Sequence, residues 1–221
     1  MRVAIGDVHG RDFWKHYVKE DFTEFYVTGD YFDSFDLPFV RQYRNFRELC
    51  EWARSDRRIK LCLGNHDYHY LGKIPRQQYS GYQSKYDYEI YQVLEQNIDL
   101  LKIVYVTEDN CIISHAGVSA WFMNQMKAAG YSAVEDINTA FAEDRAVITF
   151  NGNNPFGDDI TQSPIWIRPH SLEKEPVSGY NQIVGHTPID AIRTVSLPDK
   201  KRGAVTITYI DTDNTESIYR F

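Results

Sequence analysis

The sequence predicts an α/β fold: a four-layer αββα sandwich of two mixed β-sheets packed face to face and flanked by helices, with a metal site at the carboxyl ends of the strands. The layers are predicted by short apolar runs that alternate with helical periodicities in the order βαβαβ, followed by a C-terminal part in which strands dominate. The site is predicted by a recurring event. One apolar strand after another runs into a short loop that carries glycine and side chains able to bind a cation.

The runs Val3 to Ile5, Glu24 to Thr28, Ile59 to Leu63, Leu101 to Val106 and Cys111 to Ser114 read as strands, most of them apolar on both faces as in a buried sheet. The clearest helix spans about Pro38 to Arg54, where Val40, Tyr43, Phe46, Leu49, Cys50 and Ala53 recur at helical spacing and Asp36 is placed to cap the start. A second runs from about Lys85 to Gln96 with Tyr86, Ile90, Val93 and Leu94 inward, and Val118 to Ala129 and Val134 to Glu143 add two more. From Asn151 the stretch "NGNNPFGDDITQSP" reads as a long polar loop and a functional rim. Strands return at Gln182 to Val184, Ile192 to Val195, Ala204 to Ile210 and Ser217 to Tyr219.

With 221 residues and no linker, the chain is expected to form a single domain over residues 1–221. The 31 acidic against 24 basic side chains, a net charge of -7, exclude a long nucleic acid as partner, because binding one relies on an extended basic surface. No apolar run is long enough to cross a bilayer, and the opening "MRVAIGDVHG" is too short in apolar residues for a secretory segment, so no membrane partner and a cytoplasmic location are expected. Cys50, Cys62 and Cys111 have no ligand spacing and read as reduced core residues.

Five loops carry the chemistry: Gly6-Asp7-Val8-His9-Gly10, Gly29-Asp30-Tyr31-Phe32-Asp33, Gly64-Asn65-His66-Asp67, Ser114-His115-Ala116-Gly117 and Gly185-His186-Thr187. In α/β folds the carboxyl ends of adjacent strands gather along one edge, where ligands bind, so these loops are expected to line one cleft. Glycine suits them because the backbone must turn tightly and pass close to an ion or phosphate. Aspartate offers hard anionic oxygen, histidine borderline nitrogen and asparagine a neutral carbonyl oxygen, with no thiolate. That donor set suits manganese, iron or zinc in a hydrolytic site better than a structural zinc cluster. His16 and His170 lack such a setting and read as surface or packing residues, and His69 neighbours a motif without matching a ligand position.

In "GDVHG", "GDYFD", "GNHD", "SHAG" and "GHT", taken in that order, the chain resembles the calcineurin-like metallophosphoesterases. The likeness is to the phosphoprotein phosphatase branch and its bacterial and phage relatives, including the symmetrical dinucleoside tetraphosphate hydrolases. The resemblance implies two divalent metal ions, manganese first among the candidates. Asp7 and His9 would hold one, Asp30 would bridge both, and Asn65, His115 and His186 would complete the other. Such a bridge holds two cations about 3.5–4 Å apart, and a water between them becomes the nucleophile. The resemblance further implies His66 as the general acid toward the leaving oxygen, with Asp33 orienting it. Phosphorylated small molecules, phosphoproteins or nucleotides would be the substrates.

The chain departs from that branch directly after Asp33, where Ser34-Phe35 stands in place of an Arg and a Gly whose Arg clamps the substrate phosphate. Ser34 offers one neutral hydrogen bond there, and Arg168 in "SPIWIRP" is the expected substitute guanidinium, ahead of Lys73 and Arg76. The alternative for Arg168 is a rim residue stacked on Trp166 or paired with Asp158 or Asp159. Tyr68, Tyr70, Tyr79, Tyr82, Tyr86, Tyr88 and Tyr91 read either as the packed underside of a covering helix or as a platform for a nucleobase. The leading expectation is a two-metal phosphomonoesterase of the protein serine/threonine phosphatase type. Against it stand a dinucleoside polyphosphate hydrolase and, from another class, an inactive phosphoesterase fold used as a binding module.

Overall fold

The computed structural model describes residues 1–71, 81–150, 156–212 and 218–221. One sheet contains β1 (Arg2–Ile5), β2 (Glu24–Val27), β3 (Ile59–Cys62) and β4 (Leu101–Lys102), all parallel, with β10 (Ile218–Arg220) antiparallel on the β1 edge. The other runs in the order β5 (Val104–Val106), β6 (Cys111–Ser114), β7 (Asn181–Val184), β9 (Gly203–Tyr209) and β8 (Arg193–Asp199). In it β6, β7 and β9 are parallel while the edge strands β5 and β8 are antiparallel.

Alternation along the strands explains why both faces are apolar. Ala4, Tyr26 and Cys62 point inward to meet Cys111, Ile113 and Ile183 of the second sheet, and all six are buried. Their neighbours Val3, Ile5, Phe25, Val27 and Leu61 face the helical side, where Phe46 and Leu49 of α1 (Phe39–Ser55) and Ile90 and Leu94 of α3 (Asp87–Gln96) cover them. The second sheet is flanked by α4 (Ala120–Ala128), α5 (Asp136–Glu143) and the short α6 (Pro169–Lys174), whose Leu172 packs on Val184 and Ile207. All three cysteines are buried and free. No described helix is long and apolar enough to cross a membrane.

Three elements differ from the sequence expectation. The run Leu101 to Val106 is two strands, because the chain passes from one sheet to the other at Ile103. There the Asn138 side chain accepts from the Ile103 and Val104 amides at 2.8 and 3.2 Å and so supplies the partner the ladder lacks. The Asn65–Leu71 stretch, which glycine and ligand chemistry mark as a loop, is the helix α2. Asp36 does not cap α1: Pro38 is the cap residue, and Asp36 instead accepts from Ser34 and Arg11. The polar rim expected from Asn151 lies outside the described residues over 151–155, as do Lys73, Arg76 and Tyr79.

The strand ends approach so closely that side chains are excluded. A Cβ on Gly64 would lie 2.0 Å from Asp30 Oδ1 and 2.4 Å from the Asp30 amide nitrogen, and one on Gly185 would lie 2.3 Å from Asp7 Oδ1. We therefore expect Gly64→Ala to lower unfolding free energy by about 1–3 kcal/mol, the usual cost of overpacking. Urea denaturation of the metal-free chain checks this, and an unchanged midpoint would contradict the close approach.

Candidate metal centre

The five loops follow β1, β2 and β3 of one sheet and β6 and β7 of the other, so the sandwich brings them to a common edge. Backbone hydrogen bonds knit them together there: the His9 amide donates to the Asp30 carbonyl at 2.6 Å, and the Gly185 amide to the His115 carbonyl at 2.8 Å. The backbone is bent hard at the same places. His9, Asp30, Asp33 and His186 have positive φ (42°, 51°, 63° and 66°), and the only other described non-glycine residue that does is Asn110. Such conformations cost free energy and persist where the surroundings enforce them, characteristically at functional sites.

The side chains meet through lone pairs. The His115 Nδ1–H donates to the Thr28 carbonyl at 3.0 Å, and the His186 Nε2–H donates to the Trp166 carbonyl at 3.2 Å. Each neutral ring has thereby spent its one proton. Yet His115 Nε2 lies 3.0 Å from His186 Nδ1, 2.8 Å from Asn65 Oδ1 and 3.5 Å from Asp30 Oδ2. His9 repeats the arrangement: Nδ1–H donates to the Phe32 carbonyl at 2.6 Å, and Nε2 turns to Asp30 Oδ2 at 3.8 Å.

Two groups of three follow, Asp7, His9 and Asp30, and Asp30, His115 and His186, with Asp30 common to both. Ring nitrogens whose lone pairs face one another, an amide oxygen and carboxyl oxygens suit a cation. Burial keeps the rings neutral as ligation requires: it lowers His9 to about 4, helped by nearby His66, and holds His115 and His186 well below the usual imidazole range. Burial likewise pushes the Asp7 and Asp30 carboxyls well up, with Asp211 adding to the first and Asp7 to the second.

Beside this centre Asp33 is fully buried and receives four side chains. His66 Nδ1 lies 3.0 Å and His69 Nε2 2.7 Å from Oδ2, while the Tyr70 hydroxyl at 2.5 Å and Gln83 Nε2 at 3.4 Å donate to Oδ1. Burial, the largest influence, would raise this carboxyl, but the hydrogen bonds from His66 and His69 and their charge outweigh it and hold it at about 2. His66, His69 and Tyr70 stand at i, i+3 and i+4 of α2, on one face. Asp67 fastens that helix to the loop after β2, accepting the Tyr31 amide at 2.8 Å and the Gly64 amide at 3.1 Å. His69, Tyr70 and Asp67 escape a reading that treats "GNHD" as a loop. Helical spacing from His66 is the signal that reveals the first two.

Above the centre lies a cleft of about 490 Å³ lined by Asp7, His9, Asp30, His66, Arg168 and His186, with Arg11, Ser34 and Phe35 on its rim. Arg168 donates through Nη1 to the His186 carbonyl at 3.2 Å and the Thr187 hydroxyl at 3.1 Å, and through Nε to the Phe156 carbonyl at 3.0 Å. Asp158 and Asp159, its alternative partners, are engaged by His170 and Ser171 and by Thr161. Ser34 also lines the cleft, but its hydroxyl donates to Asp36 at 2.7 Å. The described tyrosines of the 68–91 segment are elsewhere. Tyr68 and Tyr70 are buried, Tyr70 stacks on Tyr82, Tyr86 stacks on Phe39 at 4.0 Å, and exposed Tyr88 and Tyr91 do not line the cleft.

A sequence profile described as calcineurin-like phosphoesterase matches residues 3–206. No curated protein matches the chain. Among solved structures, the cold-active protein-tyrosine phosphatase of the psychrophile Shewanella sp. aligns with a TM-score of 0.57 at 16% identity, covering 96% of this chain and 71% of its own. A mutant form of a cold-active protein tyrosine phosphatase aligns with a TM-score of 0.57 at 21% identity over the same shares. At these identities the likeness is one of fold.

Two measurements check the centre. Elemental analysis after loading with manganese should find two ions per chain, and Asp30→Asn should lose most of both, because one carboxylate serves both groups. Asp33 should stabilise the fold above the unfolded carboxyl value of about 3.9, and this contribution should vanish as pH falls through about 2. The gap in urea midpoint between wild type and Asp33→Asn should therefore be wide at neutral pH and close in strong acid. A gap independent of pH would show that Asp33 is not held as the carboxylate.

Proposed function

The chain belongs to the calcineurin-like phosphoesterases and is a metal-dependent phosphoric ester hydrolase; from that premise we propose that it hydrolyses phosphomonoesters at a two-metal centre, with His66 as general acid. The observation that carries the reading is the placement of the buried Asp33 carboxylate against His66, which lines the same cleft as the two acceptor groups joined by Asp30.

Asp7, His9, Asp30, Asn65, His115 and His186 would hold the two ions. The pair, when bound, supplies Lewis acidity and acidifies water. The chain's own residues do the rest. Asp33 is ionised at neutral pH and acceptor-only, so it fixes the proton of His66 on Nδ1 and leaves Nε2 to carry the second proton toward the leaving oxygen. His69 and Tyr70 keep Asp33 in place and ionised, and Tyr70 is itself fixed by accepting the Gln83 amide at 2.9 Å. Arg168, anchored on two backbone carbonyls, is positioned to receive the phosphate from the side of His186.

The leaving group has an apolar contact available. Phe35 on the cleft rim is 80% exposed, and Phe156, whose carbonyl anchors Arg168, is 79% exposed. An aryl phosphate such as phosphotyrosine would cover such rings, and the Shewanella neighbour is named a protein-tyrosine phosphatase. The dinucleoside polyphosphate reading drew on the tyrosine-rich segment as a stacking surface. Its described members either pack inward or lie away from the cleft, so nothing specific favours it. The evenly mixed oxygen and nitrogen donor set suits manganese, iron or zinc, and a metal-swap assay identifies the native ion.

We expect His66→Asn to retain both metals and to lower turnover of an alkyl phosphate by roughly 10²–10⁴-fold, the usual size of a general-acid contribution. The loss should be much smaller on 4-nitrophenyl phosphate, whose leaving group needs little protonation. Equal losses on both substrates would remove His66 from that role. A panel of phosphotyrosine, phosphoserine and a dinucleoside tetraphosphate, compared by kcat/KM, tests the substrate class. Efficient cleavage of the dinucleotide with no monoester turnover would overturn the proposal.

A further inference from the structure

We propose that Arg11 is a phosphate-binding residue of this cleft, the guanidinium that stands in for the Arg absent after Asp33; the proposal rests on the phosphomonoesterase reading above. Arg11 follows the first metal loop directly, and its amide donates to the Val8 carbonyl at 2.9 Å, which fixes its Cα on the turn that carries His9. Its side chain is 21% exposed and lines the same cleft as His9, Asp30, His66 and Arg168.

The geometry around it has the parts of a prepared clamp. Arg11 Nη2 donates to Asp36 Oδ1 at 2.9 Å, and the same oxygen accepts the Ser34 hydroxyl at 2.7 Å. Ser34 Oγ in turn accepts the Leu37 amide at 3.3 Å, while the Ser34 amide donates to Gln42. The segment that would otherwise present a clamp Arg from position 34 is folded back on itself. It presents a carboxylate that orients an arginine from the neighbouring loop.

Asp36 is 64% exposed, and an ion pair in water holds its arginine weakly. A dianionic phosphate drawn in beside two cations can therefore share the fork or take it from Asp36, gaining charge-assisted and bidentate hydrogen bonds. Ser34 acts through Asp36 as a positioning residue and makes no phosphate contact of its own. Arg11 serves the His9 side of the cleft and Arg168 the His186 side.

The test uses the full chain loaded with manganese and inorganic phosphate as the probe, read by titration calorimetry and as inhibition of 4-nitrophenyl phosphate hydrolysis. Arg11→Ala should keep both metals and weaken phosphate binding about 10–100-fold, the equivalent of one charge-assisted contact. Arg11→Lys should recover part of that loss, because an ammonium keeps the charge but not the fork. Unchanged phosphate affinity in Arg11→Ala would overturn the proposal. So would loss of metal from both variants, which would make Arg11 a support for His9. The calorimetric arm does not depend on turnover. Wild type that binds phosphate through Arg11 yet cleaves no monoester would sink the proposed activity and leave Arg11 standing.

Discussion

At the base of the cleft, lone pairs point at lone pairs. His115 Nε2, His186 Nδ1, Asn65 Oδ1 and Asp30 Oδ2 converge, and neither ring has a proton to offer there, because the outer ring nitrogens have committed theirs to the Thr28 and Trp166 carbonyls. Burial makes that opposition expensive, since little of these groups reaches water. The tolerable solution is a cation, and the rest of the fold can be understood as what holds the acceptors together before one arrives. Two sheets supply five strand ends, and glycines at 64 and 185 let backbone come within a hydrogen bond's length of carboxylate oxygens. Left-handed backbone at His9, Asp30, Asp33 and His186 turns the side chains inward. The strain at those four positions is offset by the large apolar layers on either side, and it buys a ligand set that needs little reorganisation on binding metal.

Much of this was legible in the sequence because metal chemistry and strand endings leave a dense local signature. The five loops and the two-sheet layering follow from short motifs and apolar runs, and the six ligand candidates are what the resemblance carried by those motifs implies. What escaped was of another kind. In α2, a glycine followed by Asn, His and Asp imitates a turn, yet the segment is helical, and only that helical spacing explains why His69 and Tyr70 reach the same carboxylate as His66. The division of Leu101 to Val106 between two sheets depends on Asn138, far along the chain, and no local pattern announces it. Asp36 had the spacing of a helix cap, but Pro38 takes the cap position and the Asp36 carboxylate accepts from Ser34 and, across the chain, from Arg11.

The charge distribution reconciles an acidic protein with an anionic substrate. Asp30, Asp33, Asp67 and Asp211 are all buried, so the carboxyls nearest the site are internal. Two divalent ions held by the carboxylates of Asp7 and Asp30 would carry more positive charge than those ligands cancel, and the excess would face the opening. Asp33 stays outside that balance. Its oxygens are taken up by His66, His69, Tyr70 and Gln83, which on the proposed reading would separate a proton-handling carboxylate from a metal-handling one although the two are three residues apart on one loop.

The two arginines of the cleft differ in a way that follows from their partners. Arg168 is half-buried, which lowers its pKa although Asp30, Asp7, Asp158 and Asp211 act against that, and it is tied to the carbonyls of Phe156 and His186, both neutral acceptors. Such a guanidinium is costly to bury and stays fixed, so it suits a permanent wall of the site. Arg11 sits at the rim with an exposed carboxylate, a pairing that water and salt weaken and that an incoming phosphate can replace at little cost. On the proposed reading, a fixed cation beside His186 and an exchangeable one beside His9 would divide the work of phosphate recognition: the first would set where the anion rests, and the second would respond to its arrival. That division requires Asp36 to stay exposed. Ser34 helps keep it there by joining Asp36 to the turn before α1, so the residue that replaces the expected arginine preserves the function of its position through its neighbour's charge.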